Sequence, residues 1–339
     1  MKPMNKKIIF FFCCALLFMF SRCKDNPIDG EGIFPPTLIP FVAYNSPVWH
    51  PDGQFIGFNH TPIKSIHYSG NNTYPDKFEL ERESSGFWLI NSDGTNMRRI
   101  FPYTLLNPAW SPDGNWIAFV AGAQIYKMRF TGTTFDTTTL VQLTTEGRNF
   151  FPSWSPDGWW IAYDRSLADS SGPGGIWVMK NDGTMKHSLF GGAFPNWHPG
   201  GNILIGVIGT SSTSIWTRFV RYNFNQSTMI DTLPVIVGNY NLLPRYSPDG
   251  TKIAFTSQPY NGQAQVWLMN ADGSGKHQLT TEGVEINTGS SLSWDTLNNL
   301  IVYTKYRFDN WPPQNGTLWI INANTGQQQQ LTFNPLSTN

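Results

Sequence analysis

The sequence predicts an all-β chain, folded as a six-bladed β-propeller of four-stranded antiparallel blades. The first observation is a repeat: PVWHPDGQFIGF, PAWSPDGNWIAF, PSWSPDGWWIAY, PNWHPGGNILIG, PRYSPDGTKIAF and LSWDTLNNLIVY align on an aromatic residue followed by a turn. Their aromatic anchors Trp49, Trp110, Trp154, Trp197, Tyr246 and Trp294 are 61, 44, 43, 49 and 48 residues apart, a period that suits propeller blades better than helical solenoids. A second signature follows in most units: GFWLINSDGTNMRRI, GGIWVMKNDGTMKHSL, AQVWLMNADGSGKHQL and GTLWIINANTGQQQQL. Composition agrees, because 339 residues with 40% hydrophobic and 15% aromatic content can fill a packed core and are too apolar for disorder.

In chain order the first element is an address. Residues 1–7 carry three Lys, and a 13-residue apolar run from Ile8 to Phe20 follows, the pattern of a secretory signal and too short for an ordinary transmembrane helix. Cys23 closes the run and resembles the lipobox cysteine of bacterial lipoproteins, with Phe20 and Arg22 where that family has an aliphatic and a small residue. The expected organisation is a signal over 1–22, a tether over 23–39 and one propeller over 40–335. Cys13 and Cys14 would leave with the signal, so no disulfide is expected in the mature chain. Lys2, Lys6, Lys7 and Arg22 would leave too, turning a balance of 23 basic and 23 acidic residues into a net charge of −4. Nucleic acid is therefore not an expected partner, and the membrane is expected to be met through the lipid alone.

Each blade then reads as strands a (ending P-x-W), b (I-A-F), c (I-W-V-M) and d (K-H-Q-L). Ser-Pro-Asp-Gly joins a to b: Pro presets φ, Asp bonds back to backbone N–H groups, and Gly accepts the positive φ. Asn-Asp-Gly and Ala-Asp-Gly close the c–d hairpins in the same way. The strands between are rich in Ile, Phe, Trp and Tyr, as half-buried and buried strands prefer. Blade 4 is the most degenerate, and blade 6 has Asp295-Thr296-Leu297-Asn298 in place of its a–b turn.

These repeats resemble the WD40-like propeller repeat of the TolB family, through W-S-P-D-G-x-x-I-A-F followed by I-W-V-M-x-x-D-G. The resemblance spans nearly the whole mature chain. It implies a TolB-like propeller; together with the leader and Cys23, the expectation is an exported protein, lipid-anchored in the cell envelope, periplasmic or surface-facing. The same repeats occur in scaffolds and in propellers that serve hydrolases, so the resemblance implies a fold and leaves the activity open.

Residues that could carry chemistry fall mostly on repeat positions. Asp52, Asp113, Asp157 and Asp249 occupy one place in the same turn of four blades, which marks them as structural turn residues. His50 and His198 take the Ser position of that turn, and His187 and His277 both follow Lys at the start of strand d. Only His60 and His67 stand outside the repeat, seven residues apart in the blade 1 insertion, and no metal site or cofactor is expected. No G-x-S-x-G elbow, Walker A motif or G-x-G-x-x-G fingerprint is present. Nine of the tryptophans are repeat residues and are assigned to the core; Trp116, Trp159, Trp160, Trp216 and Trp311 are not, and Trp311 is the expected exposed aromatic.

In a meander of four strands, the a–b and c–d turns share one face and the b–c and d–a loops the other. Length variation collects in the b–c segments 59–86, 165–174, 257–264 and 305–316, and variable loops on a rigid scaffold are where binding residues concentrate. The expectation is a monomeric, non-catalytic lipoprotein that binds a protein, peptide or glycan through that loop face, with His60, His67, Tyr74, Arg165, Tyr260, Tyr306, Arg307 and Trp311 as candidates. The alternative is an enzyme-associated propeller, either a metal-assisted polysaccharide lyase or an accessory to a hydrolase in trans.

Overall fold

In a computed structural model the described residues are 43–67, 77–166, 173–209, 217–234, 238, 240–259, 263–284, 292–297, 299–305 and 316–333. Among them six four-stranded sheets and one two-stranded sheet form. Blade 1 contains β1 (Tyr44–Trp49) and β2 (Phe55–His60), then an inserted hairpin of β3 (Ile63–His67) and β4 (Lys77–Leu80), then β5 (Gly86–Asn91) and β6 (Arg98–Phe101). Blade 2 contains β7 (Leu106–Trp110), β8 (Trp116–Ala121), β9 (Gln124–Phe130) and β10 (Phe135–Gln142). Blade 3 contains β11 (Arg148–Trp154), β12 (Trp160–Ser166), β13 (Gly175–Lys180) and β14 (His187–Phe190). Blade 4 contains β15 (Ala193–Trp197), β16 (Ile203–Gly209), β17 (Thr217–Asn223) and β18 (Thr228–Leu233). Blade 5 contains β19 (Tyr240–Tyr246), β20 (Lys252–Gln258), β21 (Gln265–Asn270) and β22 (His277–Gln278). Blade 6 contains β23 (Leu292–Trp294), β24 (Leu300–Lys305), β25 (Thr317–Asn322) and β26 (Gln328–Gln330). Each blade is an antiparallel meander of its own strands, and blade 4 completes its four strands despite its degenerate sequence.

The core lies between blades, as slabs of side chains shared by neighbours. Phe87, Leu89 and Phe55 of blade 1 pack with Trp110, Ile117 and Met128 of blade 2. Ile205 and Phe219 of blade 4 pack in the same way with Tyr246, Ile253 and Phe255 of blade 5. The second strand of each blade has neighbours on both faces, which is why β2 is buried at every position. The same kind of slab joins blade 6 to blade 1, with Tyr44, Ile56 and Phe58 against Val302, Leu318 and Leu331. Backbone and side chains add to that seam: Trp49 N–H donates to Ser293 Oγ at 3.0 Å, Tyr44 N–H to the Gly316 carbonyl at 3.1 Å, and the Thr296 hydroxyl to the Pro51 carbonyl at 2.9 Å. No strand is exchanged between blades 1 and 6 among the described residues.

Every innermost strand with a described centre carries the same irregularity. Three residues before the anchor aromatic, Ser46, Asn107, Phe151, Phe194 and Leu243 adopt positive φ between 48° and 56°. A proline follows each of them, at 47, 108, 152, 195 and 244, and pairing to the second strand slips there. This is a β-bulge on a free edge, where a proline forfeits no ladder bond. A non-glycine residue in that region costs about 1–2 kcal/mol, so five recurrences require an architectural reason. The bulge supplies one, because it bends each strand where six of them crowd around the axis.

Two expectations are corrected. The 59–86 insertion is not simply a loop, since His60 ends β2 and β3 pairs with β4. The nine repeat tryptophans are not uniformly core. The anchors on the innermost strands are buried, but Trp88, Trp177, Trp267 and Trp319 on the third strands are half-buried, because that strand lies further from the axis.

Candidate functional site: the axial cavity

The residue just before each anchor aromatic varies around the ring, with five residue types in six positions: Val48, Ala109, Ser153, Asn196, Arg245 and Ser293. The innermost strands bring all six together around one axial cavity of about 230 Å³. Bulge residues Asn107 and Phe151 and prolines Pro47, Pro108 and Pro152 share its wall. A second cavity of about 270 Å³ adjoins it, sharing Asn196, Arg245, Ser293 and Thr296 and reaching the a–b turn residues Pro199, Pro248 and Asp295. The axial space is thus continuous with the face on which the a–b turns lie.

Most polar groups of the wall are committed to holding the ring. Asn196 Oδ1 accepts the Tyr246 N–H at 2.9 Å and Ser293 Oγ the Trp49 N–H, each from the next blade. Anchor indoles reach back the other way: Nε1 of Trp154, Trp197 and Trp294 donates to the carbonyls of Ala109, Ser153 and Arg245 at 3.1, 3.1 and 3.0 Å. The equivalent indole N–H groups of Trp49 and Trp110 are buried without an acceptor. Asp295 is held within its own turn, where it accepts the Leu300 N–H at 2.7 Å.

Arg245 is the exception. Its guanidinium donates to the adjacent Pro244 carbonyl at 3.2 Å, and no ion pair to it occurs among the described residues. Burial, with no anion to offset it, pulls the guanidinium down to about 10. The group stays charged at neutral pH. Sequence reading passed over this residue, although a signal was present: P-R-Y stands where other blades have P-V-W, P-A-W, P-S-W and P-N-W.

A third cavity of about 300 Å³ lies between blades 2 and 3, also on the turn side, lined by Trp116, Lys127, Trp154 and Trp159. Trp159 is 62% exposed, and Trp160 begins β12. The Lys127 ammonium sits 4.7 Å from the Trp116 ring, and burial lowers its pKa against the opposing charge of Asp182.

The sequence-predicted residues fall into three groups. Tyr74, Tyr260, Tyr306, Arg307, Trp311 and Cys23 lie outside the described residues, and His67 is described only as the end of β3. His60 and Arg165 are buried strand residues. They occupy equivalent ends of the second strands, as does Lys305, and each covers the third-strand tryptophan of its own blade. His60 lies edge-on to Trp88 at 5.4 Å, Arg165 over Trp177 at 4.6 Å and Lys305 over Trp319 at 4.1 Å. His60 also stacks on Tyr44 at 4.1 Å and bonds the Ala43 carbonyl at 3.0 Å; burial lowers its pKa more than that bond raises it. The third group is the turn aspartates, whose carboxylates act inside their own turns. Asp113, Asp157 and Asp249 accept from the hydroxyls of Ser111, Ser155 and Ser247 at 2.5, 2.5 and 2.6 Å. Each also accepts the backbone N–H two residues on, at 3.1, 3.0 and 3.0 Å. Asp52 caps the Gln54 N–H at 2.8 Å, with His50 in the serine position reaching the Gly114 carbonyl of blade 2 at 3.1 Å. That ring lies so close that a Cβ on Gly114 would stand 2.6 Å from it, so the turn glycine serves approach as well as its φ of 70°.

No protein-family model matches the sequence, and no curated protein does. Solved structures do match. TolB from Acinetobacter baumannii superposes with a TM-score of 0.59 at 21% identity, over 73% of this chain and 59% of that one, so the chain spans well under two thirds of that protein. A putative TolB from Agrobacterium tumefaciens gives 0.58 at 20% identity, over 72% and 86%. An oligogalacturonate lyase in complex with manganese gives 0.51 at 12% identity, over 86% and 77%. Likeness at such identities speaks for the fold, and the fold is a six-bladed propeller of the TolB-like kind.

Proposed function

We propose that the chain is a non-catalytic binding propeller, tethered in the cell envelope through Cys23, which receives a segment of its ligand at the axis. One observation carries this reading: the six blades place five kinds of side chain around a single cavity, on a ring whose backbone is otherwise repeated. A varied constellation on a rigid repeat is how a scaffold acquires a specific site. The ligand is a protein, peptide or glycan, and the b–c loops bearing Tyr74, Tyr260, Tyr306, Arg307 and Trp311, on the face opposite the axial opening, offer it a second surface.

The test is site-specific photocrosslinking in native envelopes, with p-benzoylphenylalanine at Ala109 on the axis, at Trp311 in a loop, and at Thr138 on the outermost strand of blade 2. The axial position should yield a discrete adduct and Thr138 none. Equal labelling from Thr138, or none from Ala109, removes the axial assignment. Cys23→Ser, in the same cells, should release the protein from the membrane fraction; unchanged fractionation removes the lipid tether.

A further inference from the structure

We propose that Arg245 anchors a carboxylate-binding subsite at the propeller axis, one that takes a single carboxylate on a short apolar stem. The inference rests on the axial reading above and adds the chemistry of what is bound. Five of the six ring positions are filled by Val, Ala, Ser, Asn and Ser, so the architecture does not call for a long cation there. Arg245 nevertheless brings five N–H donors, of which only the bond to the Pro244 carbonyl is formed among the described residues. A guanidinium offers carboxylates a planar, two-pronged fit that no other side chain supplies.

The rest of the wall says what the carboxylate is attached to. Asn196 and Ser293, the ring neighbours of Arg245, already accept backbone N–H groups of the next blade, and the Thr296 hydroxyl already donates to Pro51. For a polyhydroxyl sugar acid, those acceptor atoms are already engaged. Beside Ser153 and Asn107, the wall presents Pro47, Pro108, Pro152, Val48 and Leu292, a surface that suits an aliphatic stem. A volume of about 230 Å³ holds a stem of a few carbons, and the adjoining cavity leaves room for what it is attached to. The lowered pKa of the guanidinium agrees, since a bound anion would restore what burial takes from the charged form.

Such a carboxylate has two sources, a free aliphatic acid or the C-terminus of a peptide. The experiment titrates the full chain with hexanoate, its neutral isostere hexanamide, and an acetylated Leu-Leu dipeptide as free acid and as amide, by calorimetry. Both acids should bind at least tenfold more tightly than their amides, and Arg245→Gln should abolish that preference while Arg245→Lys keeps part of it. A tenfold advantage of the dipeptide acid over hexanoate assigns a peptide source, and the reverse a free acid; either supports the subsite. Acids and amides binding equally overturn the carboxylate inference and leave the axial site standing, whereas no binding by any probe overturns both. Thermal melts accompany the titrations. Removing a partly buried cation with no carboxylate partner among the described residues should leave the melting temperature of Arg245→Gln unchanged or higher. A large fall would mark Arg245 as a structural residue and overturn its assignment as an anchor.

Discussion

Asp164 and Asp249 are both aspartates, and the fold drives them in opposite directions. Burial inside β12 pushes the Asp164 carboxyl up to about 8, against one backbone bond at Phe194. Its folded-state value lies above its unfolded one, so its contribution is fully present below the ordinary carboxylate range and is lost as pH rises toward 8. Asp164→Asn should therefore stabilise the protein at pH 8, by on the order of 2 kcal/mol, and do little at pH 4. Melts across that range check it. At Asp249 the Ser247 hydroxyl, with the Thr251 N–H, holds the carboxyl below its usual range. Its contribution is present above the ordinary carboxylate range and fades as pH falls through the lowered value. Asp113→Ala or Asp249→Ala should cost about 1 kcal/mol at neutral pH, with no change in ligand binding. Lost binding with an unchanged melt would contradict a structural role. The turn aspartates were legible in the sequence because Ser-Pro-Asp-Gly is local chemistry. Asp164 was not, because its environment is made by residues far away in the chain.

At the scale of the element, the interblade clasp offers a paired comparison. The Trp154 indole reaches the Ala109 carbonyl, while the equivalent indole of Trp110 finds no acceptor. Both rings are buried on innermost strands, so replacement by Phe removes similar area at each. Trp154→Phe should cost about 1 kcal/mol more than Trp110→Phe, the worth of one buried hydrogen bond. Chemical denaturation of the two variants measures the difference, and equal losses would deny the clasp an energetic role. Elements with a repeat were readable; those without one were not. The inserted hairpin escaped notice because Ile63–His67 and Lys77–Leu80 occur once and lack clean alternation. His60 and Arg165 looked like loop residues because a polar side chain at a strand end reads as a terminus. Their role is set by Trp88 and Trp177 on the neighbouring strand, a relation that spacing in one segment does not reveal.

For the whole molecule, blade number and strand order followed from the repeat alone, whereas the axial site depends on how six copies differ where they meet. The ring is closed without strand exchange among the described residues, and its two ends touch: the Tyr44 hydroxyl donates to the Phe333 carbonyl at 3.2 Å. A circular permutant joining 333 to 43 through a short linker and opened between Gly191 and Gly192 should keep the β-rich circular dichroism and melt within a few degrees of the parent. Failure to fold would show that the original seam nucleates the ring. The bulges on the innermost strands have a consequence for recognition itself. Pro47, Pro108 and Pro152 stand at the axis, with a left-handed residue before each, and so interrupt the row of N–H groups by which an extended chain could add itself to a blade. Whatever enters the axis is consequently read by side chains and not by backbone pairing. If the axis is the binding site, its selectivity is open to exchange at Val48, Ala109, Ser153 and Arg245, whereas Asn196 and Ser293 also hold the neighbouring blade.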